Sequence, residues 1–332
     1  MTPRTAILAR SAHARPRRMH SVTYPVLGIP VRYESDSPEV LAVAEEAFGC
    51  WSGAAPADGW AAADPVTVRI QVVPGPEPRE HPVKVGVRLR GARAISLRAA
   101  GVRGFAHTGR RAAAARVTTG MLKQRAQFRY SVLEAMTLFI VTALDRQPVH
   151  AAAVMRGGTA LLLAGPSGVG KSSLAYAALR AGLEVLSEDC IFLQEAPVPR
   201  AWGLPGFVHL HPDAVRWFPE LRDVSARIRN AGDLKLPVPS RGAVAGVERA
   251  GICLLRRGAG PRLERLSPAE IERAFLENLE EGFDLFADRI GPRVHRLAEH
   301  GGWRFTLPPS PLEAVPWLLR MLDALDGGQP AV

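Results

Sequence analysis

Gly165-Pro166-Ser167-Gly168-Val169-Gly170-Lys171-Ser172 lies between an apolar run, Thr159 to Ala164, and a stretch of helical composition, and its reading decides the fold. The stretch matches G-x-x-x-x-G-K-[ST] in full, a motif that needs a strand before it and a helix after it. Glycines let backbone N–H groups turn inward around phosphates, and the helix N-terminus adds partial positive charge. On this reading Gly165 through Ser173 bind nucleotide, Lys171 reaches the β- and γ-phosphates, and the Ser172 hydroxyl ligates Mg²⁺.

Outward from the loop, His150 to Met155 and Thr159 to Ala164 are apolar runs joined by Arg156-Gly157-Gly158. That is hairpin chemistry, since glycine supplies positive φ without steric cost. A helix is expected from about Gly170 to Ala181, closed by Gly182, and then a strand from Leu183 to Leu186 that ends in Ser187-Glu188-Asp189. Strand, loop, helix and strand make a βαβ-like unit. In an open α/β sheet the C-terminal ends of the strands face the ligand crevice. One carboxylate of the Glu188-Asp189 pair can then take Mg²⁺ while the other faces an acceptor hydroxyl. His150 alone, inside an apolar run, reads as a satisfied core histidine.

Before this block the pattern predicts a smaller α+β unit. Tyr24 to Leu27 and Ile29 to Tyr33 read as strands, and Ser37-Pro38 opens a helix to about Trp51. Pro65 to Val73 alternates, with Val66, Val68, Ile70 and Val72 on one face. Val83 to Leu89 alternates too, with Val83, Val85, Val87 and Leu89 expected inward, and Ala94 to Leu97 is a shorter strand. Phe128 to Leu144 reads as a buried helix. After the block, strands are expected at Cys190 to Gln194, Ile252 to Leu255 and Arg262 to Leu266. Ser267-Pro268-Ala269-Glu270 and Ser310-Pro311-Leu312-Glu313 read as capping boxes opening helices to about Leu279 and Leu325. Residues 196–248 hold seven prolines and are expected to be irregular or mobile.

At 332 residues with 47% apolar and 22% charged residues, the chain can build a core without disulfides or metal, and it has no apolar run long enough for a membrane helix. Its three cysteines are widely spaced, which argues against a disulfide framework or zinc ribbon and for a reducing, cytoplasmic setting. Residues 1–18 carry five arginines and no acid, so residues 1–20 are expected to be a disordered basic leader, with Met19 an alternative start. The net charge of +10 is concentrated between His81 and Leu133, where 12 Lys or Arg meet no Asp or Glu. Such a surface could hold an acidic peptide, a phosphorylated partner or nucleic acid. With only four lysines in the chain, arginine-rich coding favours an ordinary solvated surface. Lys235 reads as a surface lysine rather than a second phosphate contact. His209-Leu210-His211 puts two imidazoles on one face of an extended segment with no further Cys or His at ligand spacing, so no metal site is expected there.

With His150, the loop and the acidic pair in place, the segment Val149 to Leu193 resembles the HPr kinase/phosphorylase family. The matching text is V-H-A-A-A-V, R-G-G-T-A-L-L-L-A, G-P-S-G-V-G-K-S-S-L-A and G-L-E-V-L-S-E-D. The pair is Glu-Asp where HPr kinases proper have Asp-Asp, and the loop has Gly165-Pro166-Ser167 where they have Gly-Asp-Ser. In overall layout the chain looks more like the HPr-kinase-related proteins that include lasso-peptide precursor kinases. The resemblance implies an α/β P-loop kinase domain akin to phosphoenolpyruvate carboxykinase and phosphoryl transfer to a serine hydroxyl. By position it implies that Glu188 is the catalytic carboxylate, that His150 supports it and that Asp189 helps hold the metal.

The combined expectation is an N-terminal α+β unit over residues 21–147 and a P-loop kinase domain over residues 148–328. The function expected is an ATP- and Mg²⁺-dependent kinase acting on a serine or threonine hydroxyl of a peptide or protein, with the basic 84–129 region as its candidate docking face. A small-molecule kinase and a nucleotide-binding regulatory module are the alternatives. Neither membrane nor nucleic acid is expected as a partner, and an oligomer remains open.

Overall fold

The computed structural model describes residues 18–57, 59–79, 83–204, 206–228, 233–240, 246–280, 283 and 286–327. Most of the expected leader, residues 1–17, lies outside them, as does residue 328 at the expected domain end. The first strand already begins at His20.

The N-terminal part is a seven-stranded mixed sheet. Its strands are β1 (His20–Val26), β2 (Ile29–Ser35), β3 (Val66–Val73), β4 (Gly86–Arg90), β5 (Ala94–Ala99), β6 (Val102–His107) and β7 (Ala112–Thr118), with α1 (Pro38–Phe48) crossing from β2 to β3. The spatial order is β1-β2-β3-β7-β6-β5-β4, with β2–β3 and β3–β7 parallel and the other pairs antiparallel. Alternation works as expected in β3, where Val66, Val68, Ile70 and Val72 are buried. They face α1 and a helical run made of α2 (Thr119–Lys123), α3 (Arg125–Phe128), a wide π-type turn (Arg129–Glu134) and α4 (Ala135–Ala143). The expected helix at 128–144 is thus present, but one turn is widened.

Two features depart from the pattern. Val87 and Leu89 are exposed, because β4 is the sheet edge and the helices do not reach over it. The strands β6 and β7 carry no strong hydropathy signal. Their inward positions are filled by Ala106, Ala113, Ala115 and Gly104, which give little contrast with the outward residues.

The second part is a mixed α/β sandwich. Its elements, in chain order, are β8 (Gln147–Val149), β9 (Ala151–Arg156), β10 (Thr159–Ala164), α5 (Lys171–Arg180), β11 (Glu184–Ser187), β12 (Ile191–Gln194), β13 (Arg200–Gly203), β14 (Phe207–Leu210), β15 (Arg227–Ile228), β16 (Leu234–Pro239), β17 (Arg249–Arg256), β18 (Arg262–Arg265), α6 (Pro268–Leu276), α7 (Ile290–His300), β19 (Gly302–Thr306) and α8 (Pro311–Leu325). The central sheet runs β11-β9-β10-β17-β19-β18, and β10, β17 and β19 are mutually parallel. Because side chains alternate along a strand, β10 feeds two cores. Leu161 and Leu163 pack with α5 and α8, while Leu162 and Ala164 pack with α6 and α7. No described helix is long and apolar enough to cross a membrane.

The seam between the two parts is apolar. Phe192 of β12 and Trp202 of β13 belong to the N-terminal core. Arg146, fully buried beside them, donates from Nε to the Leu27 carbonyl at 2.7 Å. Burial lowers its pKa to about 10.

The sequence pattern placed nothing between residues 280 and 309, where the structure has α7 and the interior strand β19. The expected irregular stretch 196–248 instead contains β13 to β16 and 3₁₀ turns among its described residues. The Ser267 capping box forms reciprocally, with Glu270 Oε2 accepting from the Ser267 N–H at 2.8 Å. At Ser310 the hydroxyl accepts instead from the Leu312 N–H at 3.3 Å.

Candidate active site

The glycine-rich loop connects the C-terminal end of β10 to α5, as its motif requires. Parallel pairing of β10 with β17 brings Leu255 alongside, so a Cβ on Gly165 would sit 2.8 Å from the Leu255 carbonyl oxygen. Gly168 has φ +78° with open space above it, which leaves room at the mouth of the loop for a ligand.

Lys171, the first residue of α5, is 6% exposed and folds back to donate from Nζ to the Gly165 carbonyl at 2.7 Å. Burial pushes its pKa down, and the nearby carboxylates of Glu280, Asp189 and Glu188 oppose that shift. At the next residue, the Ser172 hydroxyl donates to Glu188 Oε1 at 3.2 Å. Glu188 is 7% exposed, and its other oxygen lies 3.2 Å from His209 Nδ1. The imidazole of His150 lies within ion-pair distance of two carboxylates, Asp189 Oδ1 at 3.2 Å from Nε2 and Glu280 Oε2 at 2.7 Å from Nδ1. The ring stacks on Phe283 with centroids 5.3 Å apart.

Lys171, Ser172, Glu188, Asp189 and His150 therefore come together with the glycine loop at one end of the central sheet, while Ser173 faces Trp217 and Leu307 on the other side of α5. Their neighbours differ from the expected arrangement. His150 is paired with Asp189, where the resemblance implied support for Glu188. Glu188 touches Ser172, where Asp189 was expected to share the metal. β11 ends at Ser187, so both carboxylates lie in the bend that follows the strand.

A cavity of about 560 Å³ opens beside the loop. Its lining includes Gly165 to Val169, His150, Glu280, Phe275, Arg257 and Arg304. Ligand pockets typically span about 300 to 1,000 Å³, and this cavity falls within that range. Of the arginines here, Arg256 is engaged with Glu264 at 3.0 Å and Thr306 at 2.7 Å, and Arg304 approaches Glu264 at 3.5 Å. Arg257 has no acidic partner among the described residues. Its guanidinium packs against the loop, with Nη2 3.0 Å from where a Cβ on Gly170 would stand.

Ser172 and Glu188 supply hard oxygen donors of the kind Mg²⁺ takes. Among the described residues no group of three or more His, Cys, Asp or Glu forms a metal cage. Mg²⁺ is commonly held by one or two carboxylates together with substrate phosphates and water, and Ser172 and Glu188 are donors of that class.

Sequence reasoning missed Arg257, Glu280 and Phe283, and it considered His209 only as a metal ligand. Arg257 had a usable signal, since it follows the apolar run of β17 at the end that faces the crevice. His209 had none, because β14 and β11 are brought together only by the tertiary fold. His211 lies beyond the end of β14 and turns to Asp213 at 3.0 Å, so the two imidazoles do not share a site. Lys235 sits on β16 and does not line the cavity.

No protein-family model matches the chain, and no curated protein matches it. Among solved structures, an HPr(Ser) kinase/phosphatase from Coxiella burnetii aligns with a TM-score of 0.24 and 14% identity, over 52% of this chain and 91% of that one. A likeness that low carries no weight for function.

Proposed function

We propose that the chain is an ATP- and Mg²⁺-dependent kinase that transfers phosphate to a serine or threonine hydroxyl of a peptide or protein. The observation that carries the reading is the convergence of Lys171, Ser172 and Glu188 at a glycine loop between a parallel strand and a helix N-terminus. In such a site the loop amides and the N-terminus of α5 bind phosphate oxygens, and Lys171 moves from the Gly165 carbonyl to the β- and γ-phosphates. Bound Mg²⁺ would neutralise phosphate charge, held by Ser172 and Glu188. Arg257 adds a second cation at the cavity side of the loop, where negative charge spreads over the transferred group.

Asp189 is the proton acceptor in this account. It is about half exposed (47%), so an acceptor hydroxyl can reach it, and His150 fixes its orientation. His150 is held in turn by Glu280 and by its stack on Phe283. The three free thiols, Cys50, Cys190 and Cys253, fit a cytoplasmic setting.

The test is incubation with γ-labelled ATP and Mg²⁺ against serine-containing peptides, proteins and hydroxyl metabolites, scored by label transfer and ADP release. Label on peptide or protein is the expected result. Label only on small molecules would make it a metabolite kinase. Nucleotide binding with no acceptor-dependent ADP release would make it a regulatory module.

A further inference from the structure

The strand registers of the N-terminal sheet sort its basic residues into two groups. Away from the outer face, Arg125 pairs with Glu46 at 2.6 Å, Arg129 with Glu134 at 2.7 Å, and Lys123 approaches Glu77 at 4.0 Å. On the outer face, Arg98 of β5 stands opposite Arg103 of β6, and Arg103 stands opposite Arg116 of β7. Neighbouring strands are about 4.8 Å apart, so three arginines stand side by side on adjacent strands of one face. Like charges directly opposite one another destabilise a sheet. None of the three has an acidic partner among the described residues. The same alternation puts Arg88, Arg90, Arg32 and Arg69 on this face, against one acid, Glu34, which Arg69 already engages. At the centre lies Phe105, 42% exposed between Ser96 and Ala114. Among the described residues the helices cover the opposite face, and Arg98, Arg103, Phe105 and Arg116 on this one are exposed.

We infer that this face, centred on Arg98, Arg103, Arg116 and Phe105, docks an acidic peptide segment of the acceptor. The inference rests on the peptide-kinase reading for the occupant's identity. Charge complementarity selects the occupant. A second copy of the same face would bring unpaired arginines against arginines. A single-stranded nucleic acid would stack successive bases on successive aromatic rings, and the described residues of the face provide Phe105 with only His107 near it. An extended acidic segment needs the opposite pattern, several cations around one apolar contact.

The test measures binding without turnover. A fluorescein-labelled peptide of alternating Glu and Ser is titrated with wild type by anisotropy, beside a labelled oligothymidine, at about 0.01 M and about 0.15 M salt, where the Debye lengths are about 30 Å and 8 Å. The combined variant Arg98→Glu, Arg103→Glu, Arg116→Glu is compared with Arg222→Glu, Arg227→Glu, Arg320→Glu, which changes net charge equally at exposed positions elsewhere. The expected result is salt-sensitive peptide binding, weakened at least about tenfold, or about 1.4 kcal/mol, in the first variant only. MgATP affinity serves as the folding control, and Gln in place of Glu at the three positions serves if the reversal does not fold. Equal loss in both variants, loss in neither, or no wild-type binding would overturn the proposal. Tighter binding of oligothymidine through the same arginines would replace it with a nucleic-acid site. Peptide binding without phosphorylation of any acceptor would count against the kinase reading and leave the docking face standing.

Discussion

Glu188→Gln separates metal holding from proton transfer. The substitution keeps side-chain volume and an oxygen that can accept from the Ser172 hydroxyl, now 3.2 Å away. It removes one of three carboxylates, Glu188, Asp189 and Glu280, that surround the lone ammonium of Lys171. Less crowding of negative charge should leave the metal-free protein at least as stable as wild type. Glu188 is buried and pointed at Ser172, so it has no direct line to an acceptor, and its loss should act through Mg²⁺. Supporting groups around metal sites are commonly worth about 10- to 100-fold in affinity, and a direct ligand should cost at least the upper end. Calorimetric titration of ATP with Mg²⁺ and with a chelator should therefore show the Mg²⁺-dependent part of binding reduced by about 100-fold or more. Asp189→Asn should leave that affinity nearly intact and slow single-turnover transfer by about 10² to 10⁴, the range of general base catalysis. If Glu188→Gln kept its Mg²⁺-dependent affinity and lost only transfer, while Asp189→Asn lost affinity, the two roles would be reversed and the reasoning from the Ser172 contact would be wrong.

Three further outcomes follow from the geometry. Burial lowers the Lys171 pKa in the free protein, so the folded state disfavours its charge below that value, and metal-free stability should gain as pH rises toward the ordinary lysine range. ATP affinity should fall over the same rise, because only the ammonium binds phosphate; calorimetry in buffers of differing ionisation enthalpy should detect proton uptake on the alkaline side, absent in Lys171→Arg. Arg257→Ala should slow transfer by about 100-fold with a smaller loss of nucleotide affinity, the signature of a group that stabilises developing charge; equal losses in both would make it a binding residue only. Gly203→Ala would put a Cβ 1.9 Å from the Leu186 carbonyl oxygen in the strand that delivers Glu188; overpacking of this kind costs about 1 to 3 kcal/mol, so the melting temperature should fall, and an unchanged melting temperature would contradict the packing described.

The site was legible in sequence where its parts are contiguous. The loop, Lys171, Ser172 and the Glu188-Asp189 pair all lie within one strand-loop-helix-strand segment, and local pattern suffices for that. Two of their partners were not legible, because Glu280 and His209 arrive from the segment after α6 and from β14, and no spacing rule connects those to the loop; Arg257, just past the apolar run of β17, was readable in principle. The exchange of neighbours at Glu188 and Asp189 turns on which way the backbone leaves β11, which a run of residue types does not encode. In the fold, strong alternation in β3 and clear capping at Ser267 were readable. The Ala-filled strands β6 and β7 were hidden by weak contrast, and β4 misled because its apolar Val87 and Leu89 lie past the edge of the helices. The basic run was visible as composition, but only strand register shows which arginines share a face.

The central claim is that the loop holds a nucleoside triphosphate with Lys171 on its phosphates. Calorimetric titration of MgATP into wild type and Lys171→Ala tests it most directly, with matched thermal melts showing both proteins folded. Saturable, Mg²⁺-dependent binding by wild type, lost in the variant, is the expected result. Absence of binding by wild type, or equal binding by folded Lys171→Ala, would contradict it.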